Sequence, residues 1–137
     1  MNSNLERFLK AHARDYDCAL SEIRNGRKYS HWMWYIFPQI KGLGYSSTSI
    51  FYAIADIEEA KAYMNNEILR KHMLEICQVL LDLESSDASD IFGWPDDMKL
   101  KSSMTLFALS NPECEVFQKV LDKFFDGEKD ERTVELL

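Results

Sequence analysis

Apolar residues recur at intervals of three and four along most of the chain, which is the spacing of one face of an α-helix. Near the amino terminus, one apolar stripe runs over residues 5–23 and ends before Gly26. Similar patterns cover residues 56–64, 68–83 and 95–109. We therefore predict a chain that is helical almost throughout.

The strongest helix signal lies late in the chain. Asn111 is a good cap residue, Pro112 suits the first helical position, and Gly127 supplies a stop after an apolar face. Residues 130–137 predict a final short helix capped by Asp130, whereas residues 83–95 predict a loop with one short turn. Because 137 residues suit one hydrophobic core, we predict a single domain over the whole chain. Its expected fold class is all-α, as a multihelical orthogonal bundle of about six to eight helices.

Aromatic residues are concentrated in one segment. Five of the seventeen aromatics of the chain fall within residues 29–37, and the pattern there suits either a short helix or a buried strand. We predict a helix that Ser30 caps and Pro38 ends. The following stretch, residues 42–49, contains two glycines and a run of four Ser and Thr residues. It predicts a loop whose N–H and hydroxyl groups can surround an anion.

Charge is distributed unevenly. The net charge is −7, yet residues 24–55 contain no Asp or Glu, although these acids make up 23 of the 137 residues. A second acid-free stretch covers residues 98–112 and carries Lys99 and Lys101. Polyphosphate backbones repel an acidic protein, so we expect no nucleic-acid partner. The two basic segments instead predict a site for a small anionic ligand.

The cysteines and the amino terminus indicate the cellular environment. Cys18, Cys77 and Cys114 are far apart and include no CxxC pair, which argues against disulfides and against a zinc site. No apolar run is long enough for a signal peptide or a membrane span. We therefore expect a protein of the bacterial cytosol with no metal, no cofactor and no membrane partner.

Two tryptophans are candidates for ligand stacking. Trp32 and Trp34 can stack on a base or a sugar ring, although large aromatic residues also form protein cores. If the segment is helical, their side chains point about 200° apart. We expect one of them to face the core and the other to face something else.

His31 is a candidate acid–base residue, because the ordinary pKa of histidine lies near ~6.5. It lies between a basic run and the two tryptophans. The alternative is a packed and hydrogen-bonded histidine without a chemical role.

The predicted helix over residues 95–109 carries a second group of candidates. Lys99 lies three and four residues before Ser102 and Ser103, a spacing at which a Ser–Lys nucleophile can form. Alternatively, Lys99 and a serine hydroxyl contact a bound anion, or merely solvent and the preceding helical turn. We predict all three as ligand-binding residues.

Long motifs of this chain resemble those of the bacterial family designated domain of unknown function 1810. The resemblance covers nearly the whole chain, and its most specific parts are SHWMWYIFPQIKGLG and DDMKLKSSMTLF. It implies a small multihelical fold and no established activity. A calpastatin label is sometimes attached to this family, but the repeats of that inhibitor are disordered Pro- and Lys-rich segments that this chain does not resemble. Arg27, Lys28, Gln39 and Arg132 are further polar residues of the family-like motifs, and we add them to the predicted ligand-binding set.

Two functions from different classes remain open. The first is a binding protein or enzyme for a small anionic, ring-bearing ligand such as a nucleotide or an ADP-ribose derivative. In that case Trp32 or Trp34 stacks on the ring, Arg27, Lys28, Lys99 and Ser103 contact phosphate, and His31 is the acid–base group. The second is a protein-interaction module in which the aromatics of residues 29–37 form an exposed patch without catalysis.

Overall fold

The computed structural model describes residues 4–137, and nine helices form within that range. They are α1 (Glu6–Arg24), α2 (Met33–Ile36), α3 (Ser47–Tyr52), α4 (Ile57–Asn65), α5 (Glu67–Asp82), α6 (Ala88–Phe92), α7 (Asp96–Ser110), α8 (Val116–Phe125) and α9 (Glu131–Leu136). This all-α architecture confirms the predicted fold class. The nine helices exceed the predicted maximum by one, and the one-turn α6 lies where the sequence predicts a loop with one short turn. There Asp87 accepts a hydrogen bond from the Ser89 N–H at 2.9 Å.

Helix α7 is the centre of the bundle. It packs against α4, α6, α8 and α9, and it is buried on almost every side. The hydroxyl groups of three of its small polar residues form hydrogen bonds within the helix. Ser102, Thr105 and Ser110 each donate to the carbonyl four residues earlier, at 3.2, 2.8 and 2.8 Å. These short side chains therefore let the neighbouring helices pack closely without leaving the three hydroxyls unpaired.

Helix α8 begins later than the sequence predicts. Asn111 ends α7, and its carbonyl accepts from the Cys114 N–H at 3.0 Å in the turn that follows. The Asn111 side chain is buried and donates to Ser110 Oγ at 2.9 Å, so it does not cap the next helix. Val116 is therefore the first residue of α8, and the predicted start at Asn111 was wrong.

The aromatic segment forms α2, a single helical turn, which confirms the helix prediction. Ser30 does not cap it, because Trp32 holds the cap position and the Ser30 hydroxyl donates to Glu22 Oε2 at 2.5 Å. After Pro38 the chain is extended, and Ile40 pairs with Ile54 in an isolated parallel bridge. That bridge holds the segment after α2 beside the segment after α3.

A buried ion pair fixes the end of α3. Arg7 Nη2 lies 3.2 Å from Glu59 Oε1, and both side chains are almost fully buried. Arg7 also donates to the carbonyls of Phe51 and Ala53, each at 2.8 Å. Glu59 in turn accepts from the Ala55 N–H at 2.8 Å. These contacts connect α3 to α1 and α4 through paired charges, as burial of a charge requires.

Candidate functional site

A cleft of about 650 Å³ opens between the start of α7 and the segment that joins α2 to α3. Its volume is typical of sites for small molecules. It is lined by Trp34, Gln39, Ile40, Lys41, Gly42, Leu43, Gly44, Tyr45, Ser46, Ser49, Ile50, Tyr52, Ala53, Pro95, Met98, Lys99, Ser102, Asp130 and Arg132. The two acid-free segments of the sequence therefore meet in space, at this cleft.

Trp34 and Lys99 lie against each other in the cleft. The Lys99 ammonium is 5.1 Å from the centre of the Trp34 ring, which is the geometry of a cation–π contact. Lys99 Nζ also lies 3.3 Å from Asp96 Oδ1, while the other oxygen of Asp96 lies 2.8 Å from Lys28 Nζ. Asp96 therefore divides its charge between two lysines and holds Lys99 beside the indole.

Gln39 and Lys41 reach the cleft from the extended segment after Pro38. The Lys41 N–H donates to the Ile54 carbonyl and the Ile54 N–H donates to the Gln39 carbonyl, both at 2.8 Å. Ile40, which lies between them, is buried. Since alternate residues of an extended segment point to the same side, Gln39 and Lys41 project together, roughly 7 Å apart along the backbone.

Close contacts at two glycines shape the loop that follows. Gly42 has a φ of +107°, which glycine adopts without strain, and a Cβ there would lie 3.2 Å from Leu136 Cδ2. At Gly44 a Cβ would lie 2.6 Å from Ser49 Oγ. Ser46 caps α3 by accepting from the Ser49 N–H at 3.1 Å, and the two hydroxyls lie 2.9 Å apart. The loop is therefore tightly packed, and these serines bond mainly to each other.

Positive charge predominates among the charged residues that line the cleft. These residues are Lys41, Lys99, Arg132 and Asp130. Arg132 Nη1 lies 3.4 Å from Glu135 Oε1, and both side chains are exposed. Asp130 caps α9, because its Oδ2 accepts from the Thr133 N–H at 3.0 Å and from the Thr133 hydroxyl at 2.6 Å. The one carboxylate of the lining thus already has hydrogen-bond donors of its own, which confirms the predicted cap.

The cleft brings together half of the ten residues that the sequence predicts for a site. These five are Trp34, Gln39, Lys99, Ser102 and Arg132. They come from α2, the extended segment, α7 and α9, which lie far apart along the chain. Their convergence is geometric, and their role in ligand binding stays a prediction.

Trp32 and Arg27 lie outside the cleft lining. Trp32 is 1% exposed, and its indole N–H donates to Glu22 Oε1 at 2.9 Å, so its ring belongs to the core. Arg27 is exposed and lies 5.7 Å from the centre of the Tyr29 ring. This fits the expectation that one tryptophan faces the core while the other does not, and Trp34 lies in the cleft.

Lys28 and Ser103, two of the predicted phosphate contacts, also lie elsewhere. The Lys28 ammonium pairs with Asp96 and donates to the Ser30 carbonyl at 2.5 Å, so its charge and hydrogen bonds are already used within the protein. Ser103 is fully buried in α7, and its hydroxyl has no hydrogen-bond partner among the residues that the structure describes. The placement of both residues differs from the prediction, because each faces the interior of the fold rather than the cleft.

His31, the predicted acid–base residue, is exposed and does not line the cleft. Its carbonyl accepts a hydrogen bond from the Tyr35 hydroxyl at 3.1 Å. The neighbouring loop is held by Glu22, which accepts from the Tyr29 and Ser30 N–H groups at 2.7 and 2.9 Å. His31 therefore lies outside the cleft, in the loop before α2, which begins at Met33.

Sequence reasoning missed several residues of the cleft. Lys41, Tyr45, Tyr52 and Asp130 line it but were not in the predicted ligand-binding set. Lys41 could have been predicted as a ligand-binding residue from the sequence, since it lies in an acid-free segment next to the two glycines. Tyr45 is 86% exposed at the rim, and no local pattern marks that position.

A second polar cluster, outside the cleft, joins α1 to α5. Nδ1 of His12 lies 2.9 Å from Nδ1 of His72, and Nε2 of His12 lies 2.8 Å from the Tyr35 carbonyl. The Tyr16 ring stacks on the His72 ring with their centres 3.6 Å apart. Burial lowers the pKa of His12 to about 4, and burial also lowers the pKa of His72. Both histidines are therefore neutral in the folded protein at pH 7.

Two features are absent from the part of the chain that the structure describes. No helix within residues 4–137 has both the length and the apolar character needed to cross a bilayer. Within the same range, no three or more His, Cys, Asp or Glu side chains are grouped so that they can hold a metal ion.

Comparison with known proteins agrees with the resemblance in the motifs. Among the curated proteins there is no match. The crystal structure of the conserved hypothetical protein Rv1873 from Mycobacterium tuberculosis is similar, with a TM-score of 0.95 and 42% sequence identity, over 98% of this chain and 96% of that chain. Residues 2–137 match the family described as "Protein of unknown function (DUF1810)". The chain therefore belongs to the DUF1810 family.

Proposed function

We propose that the cleft binds a small anionic ligand that carries a ring, of the nucleotide or ADP-ribose type. The observation that carries this proposal is the convergence of Trp34, Lys99 and Lys41 on one cleft. An aromatic face and several cations in a concave site are the groups that a ring with an anionic substituent requires. They are concentrated in a protein whose net charge is −7.

The ring of the ligand lies against Trp34 and against the apolar side chains of Pro95 and Met98, which also line the cleft. Stacking of a base on an aromatic side chain contributes ~1–3 kcal/mol. Lys99 attracts the anionic part of the ligand. One carboxylate, Asp96, lies against both Lys28 and Lys99, so it neutralises only part of their combined positive charge. The ligand is thus held by stacking and by charge together.

We propose binding without catalysis, because the described lining contains no histidine and its one carboxylate already has hydrogen-bond donors, which leaves lysines and tyrosines as its titratable groups. Acid–base chemistry needs a titratable group within hydrogen-bond reach of the substrate. Among the described residues that line the cleft, the one carboxylate is Asp130, which caps α9. His31 lies outside it. An enzyme that acts on the same class of ligand is the alternative.

A thermal-shift screen of the purified chain tests this proposal. The panel contains nucleotides, ADP-ribose, sugar phosphates and simple anions. A ligand at 100 times its dissociation constant stabilises the folded state by ~2.7 kcal/mol, which raises the melting temperature by several degrees. We expect such a shift for a ring-bearing anion and its loss in Trp34→Ala and in Lys99→Ala.

Matched control variants distinguish binding in the cleft from non-specific binding to exposed charges or exposed aromatic rings. Trp94→Ala removes a tryptophan that is 80% exposed and outside the cleft lining, and Lys61→Ala removes an exposed lysine of α4. Both variants should keep the shift. A shift that survives in Trp34→Ala and Lys99→Ala, or no shift with any compound, would overturn the proposal.

A protein-interaction module is the second candidate function. Three of the five aromatics of residues 29–37 are buried, so that segment is mostly core. The observation that favours the module is a different group of exposed side chains beside the cleft: Tyr45 at 86%, Ile50 at 60% and Phe51 at 56%. Exposed apolar patches mark interaction sites. Recovery of one partner that Tyr45→Ala and Phe51→Ala release, together with a negative ligand screen, would favour this candidate.

We also propose a place in the bacterial cytosol, with no nucleic-acid partner. Free thiols on Cys18, Cys77 and Cys114 support a reducing compartment. The net charge of −7 supports the exclusion of nucleic acid, because it repels a phosphate backbone. Fractionation of the native host cells tests the location, and recovery in an envelope fraction would contradict it.

A further inference from the structure

We infer that the ligand carries a single anionic group, as a nucleoside monophosphate does, with Lys41 as its main partner and the Gln39 amide in contact with the ring. This inference rests on the proposed function and narrows it, because it excludes polyphosphates and ADP-ribose as the best ligands. It concerns the number of negative charges that the cleft accepts.

The supply of uncompensated positive charge limits that number. Carboxylate partners offset part of the charge on two of the three cations in the lining. Lys99 pairs with Asp96 at 3.3 Å, and Arg132 pairs with Glu135 at 3.4 Å. Lys41 forms no ion pair with any residue in the described range 4–137 and is exposed in the cleft. Among the described residues, Lys41 is thus the one cation of the lining whose charge no carboxylate offsets, and it matches one anionic group.

A second phosphate meets negative charge. The Asp130 carboxylate lines the cleft, and the first turn of α7 carries Asp97 next to Asp96, whose charge Lys28 and Lys99 balance. Polyphosphate sites commonly use the N–H groups of a helix amino terminus, and acidic residues in the first turn oppose that use. The net charge of the whole protein adds to this repulsion. Each phosphate beyond the first therefore weakens binding.

Gln39 has the properties of a group that contacts the ring. Its backbone is held by the Ile54 N–H at 2.8 Å, which fixes where the side chain starts. The side chain is half-buried, and its amide forms no hydrogen bond with other residues of the described part of the chain. An amide offers both a donor and an acceptor, which complements the N–H and C=O edge of a heterocycle. Gln39 and Lys41 project on the same side, so they contact one ligand together.

Isothermal titration calorimetry of the full chain tests the inference. The probes are AMP, GMP, CMP and UMP, each compared with its nucleoside and its diphosphate, together with ADP-ribose. We expect at least one monophosphate to bind about tenfold or more tightly than its nucleoside and its diphosphate. Lys41→Ala should reduce the gain over the nucleoside to less than threefold, whereas Lys61→Ala should leave it unchanged. Gln39→Leu, which keeps the size but removes the amide, should reduce the discrimination among the four bases.

The possible results separate this inference from the proposed function. Tighter binding of a diphosphate or of ADP-ribose, lost in Trp34→Ala, would overturn the single-anion inference and leave the cleft as the site. A preference for monophosphate that persists in Lys41→Ala would overturn the assignment of Lys41. No binding of any probe would overturn both the inference and the proposed function.

Discussion

Lys28 and Asp96 form an ion pair whose nitrogen and oxygen lie 2.8 Å apart, between the loop after α1 and the first turn of α7. Both side chains are largely buried. The same carboxylate holds Lys99 beside Trp34, so one acid connects the interior of the loop with the cleft. Lys28 thus contributes to the site by positioning Asp96, although the sequence predicts it as a ligand contact.

Replacement of His31 should leave ligand binding unchanged. His31 is exposed and lies outside the cleft lining, so His31→Ala removes no contact with a ligand in the cleft. Exposed substitutions of this kind change the free energy of unfolding by less than ~0.5 kcal/mol. Titration of His31→Ala with the best ligand of the screen checks this. A tenfold loss of affinity would restore His31 to the site and contradict the placement of the ligand.

Replacement of Glu22 should destabilise the fold. Its Oε1 accepts from the Tyr29 N–H, the Ser30 N–H and the Trp32 indole at 2.7, 2.9 and 2.9 Å. Burial raises the pKa of Glu22, but these hydrogen bonds and that of the Ser30 hydroxyl outweigh burial and lower it to about 2. Glu22→Gln replaces one acceptor by a donor, so we expect a loss of ~1–2 kcal/mol in urea unfolding at pH 7.

The control for this change is Glu113→Gln, which alters an exposed carboxylate to which the structure gives no hydrogen bond within the described residues. It should change the unfolding free energy by less than ~0.5 kcal/mol. Equal stability of Glu22→Gln and the unaltered chain would contradict the role of Glu22 as the anchor of this loop.

Acid should weaken the fold before the carboxylates titrate. The ordinary pKa of His12 is 6.5, and burial lowers it to about 4 in the folded state. Between these values the unfolded chain binds a proton that folded His12 does not bind, so stability falls as the pH falls from about 6.5 to about 4. Since one pKa unit corresponds to 1.36 kcal/mol, we expect His12 to remove ~2 kcal/mol by pH 5.

Urea unfolding at pH 7, 6 and 5 measures this loss. His72 acts in the same direction, because burial lowers its pKa as well. The pH dependence should be reduced in His12→Gln. A stability that is constant from pH 7 to pH 5, or an undiminished slope in His12→Gln, would contradict the neutral histidine pair.

Local patterns in the sequence predict the helices well, because the spacing of apolar residues depends on neighbours along one chain segment. The predicted helices over residues 56–64, 68–83 and 95–109 correspond to α4, α5 and α7. The start of α8 shows the limit of this reasoning. Asn111 has the residue type of a cap, but tertiary packing buries its side chain at the end of α7.

The site was predictable only in part, because its contacts join distant segments. The sequence predicts that Trp32 and Trp34 face different sides, and the structure buries the first and places the second in the cleft, although Trp32 is the cap of α2 and not a residue of the helix. No local pattern shows that Lys28 pairs with Asp96, which lies 68 residues later in the chain. Basic composition alone therefore does not distinguish a lysine of the interior from one of the cleft.

Substitution of Gly44 should disturb the cleft loop. A Cβ there would lie 2.6 Å from Ser49 Oγ and 2.7 Å from Ser49 Cβ, so α3 or the loop has to move. Overpacking of this kind costs ~1–3 kcal/mol. We expect Gly44→Ala to lower both stability and ligand affinity, and Ser49→Gly in the same chain to restore part of each. Full affinity in Gly44→Ala would show that the loop does not shape the binding site.

The most direct test of the central claim is a ¹⁵N NMR titration of the full chain with AMP and the other nucleoside monophosphates. The three tryptophans report three environments, since Trp34 lines the cleft, Trp32 is buried and Trp94 is exposed. We predict that the indole signal of Trp34 and the amide signals of residues 39–46 shift together on binding, while the Trp94 indole and the amides around Arg27 stay in place. Shifts confined to Trp94 or to the α7–α8 turn, or no shift with any monophosphate, would contradict this prediction.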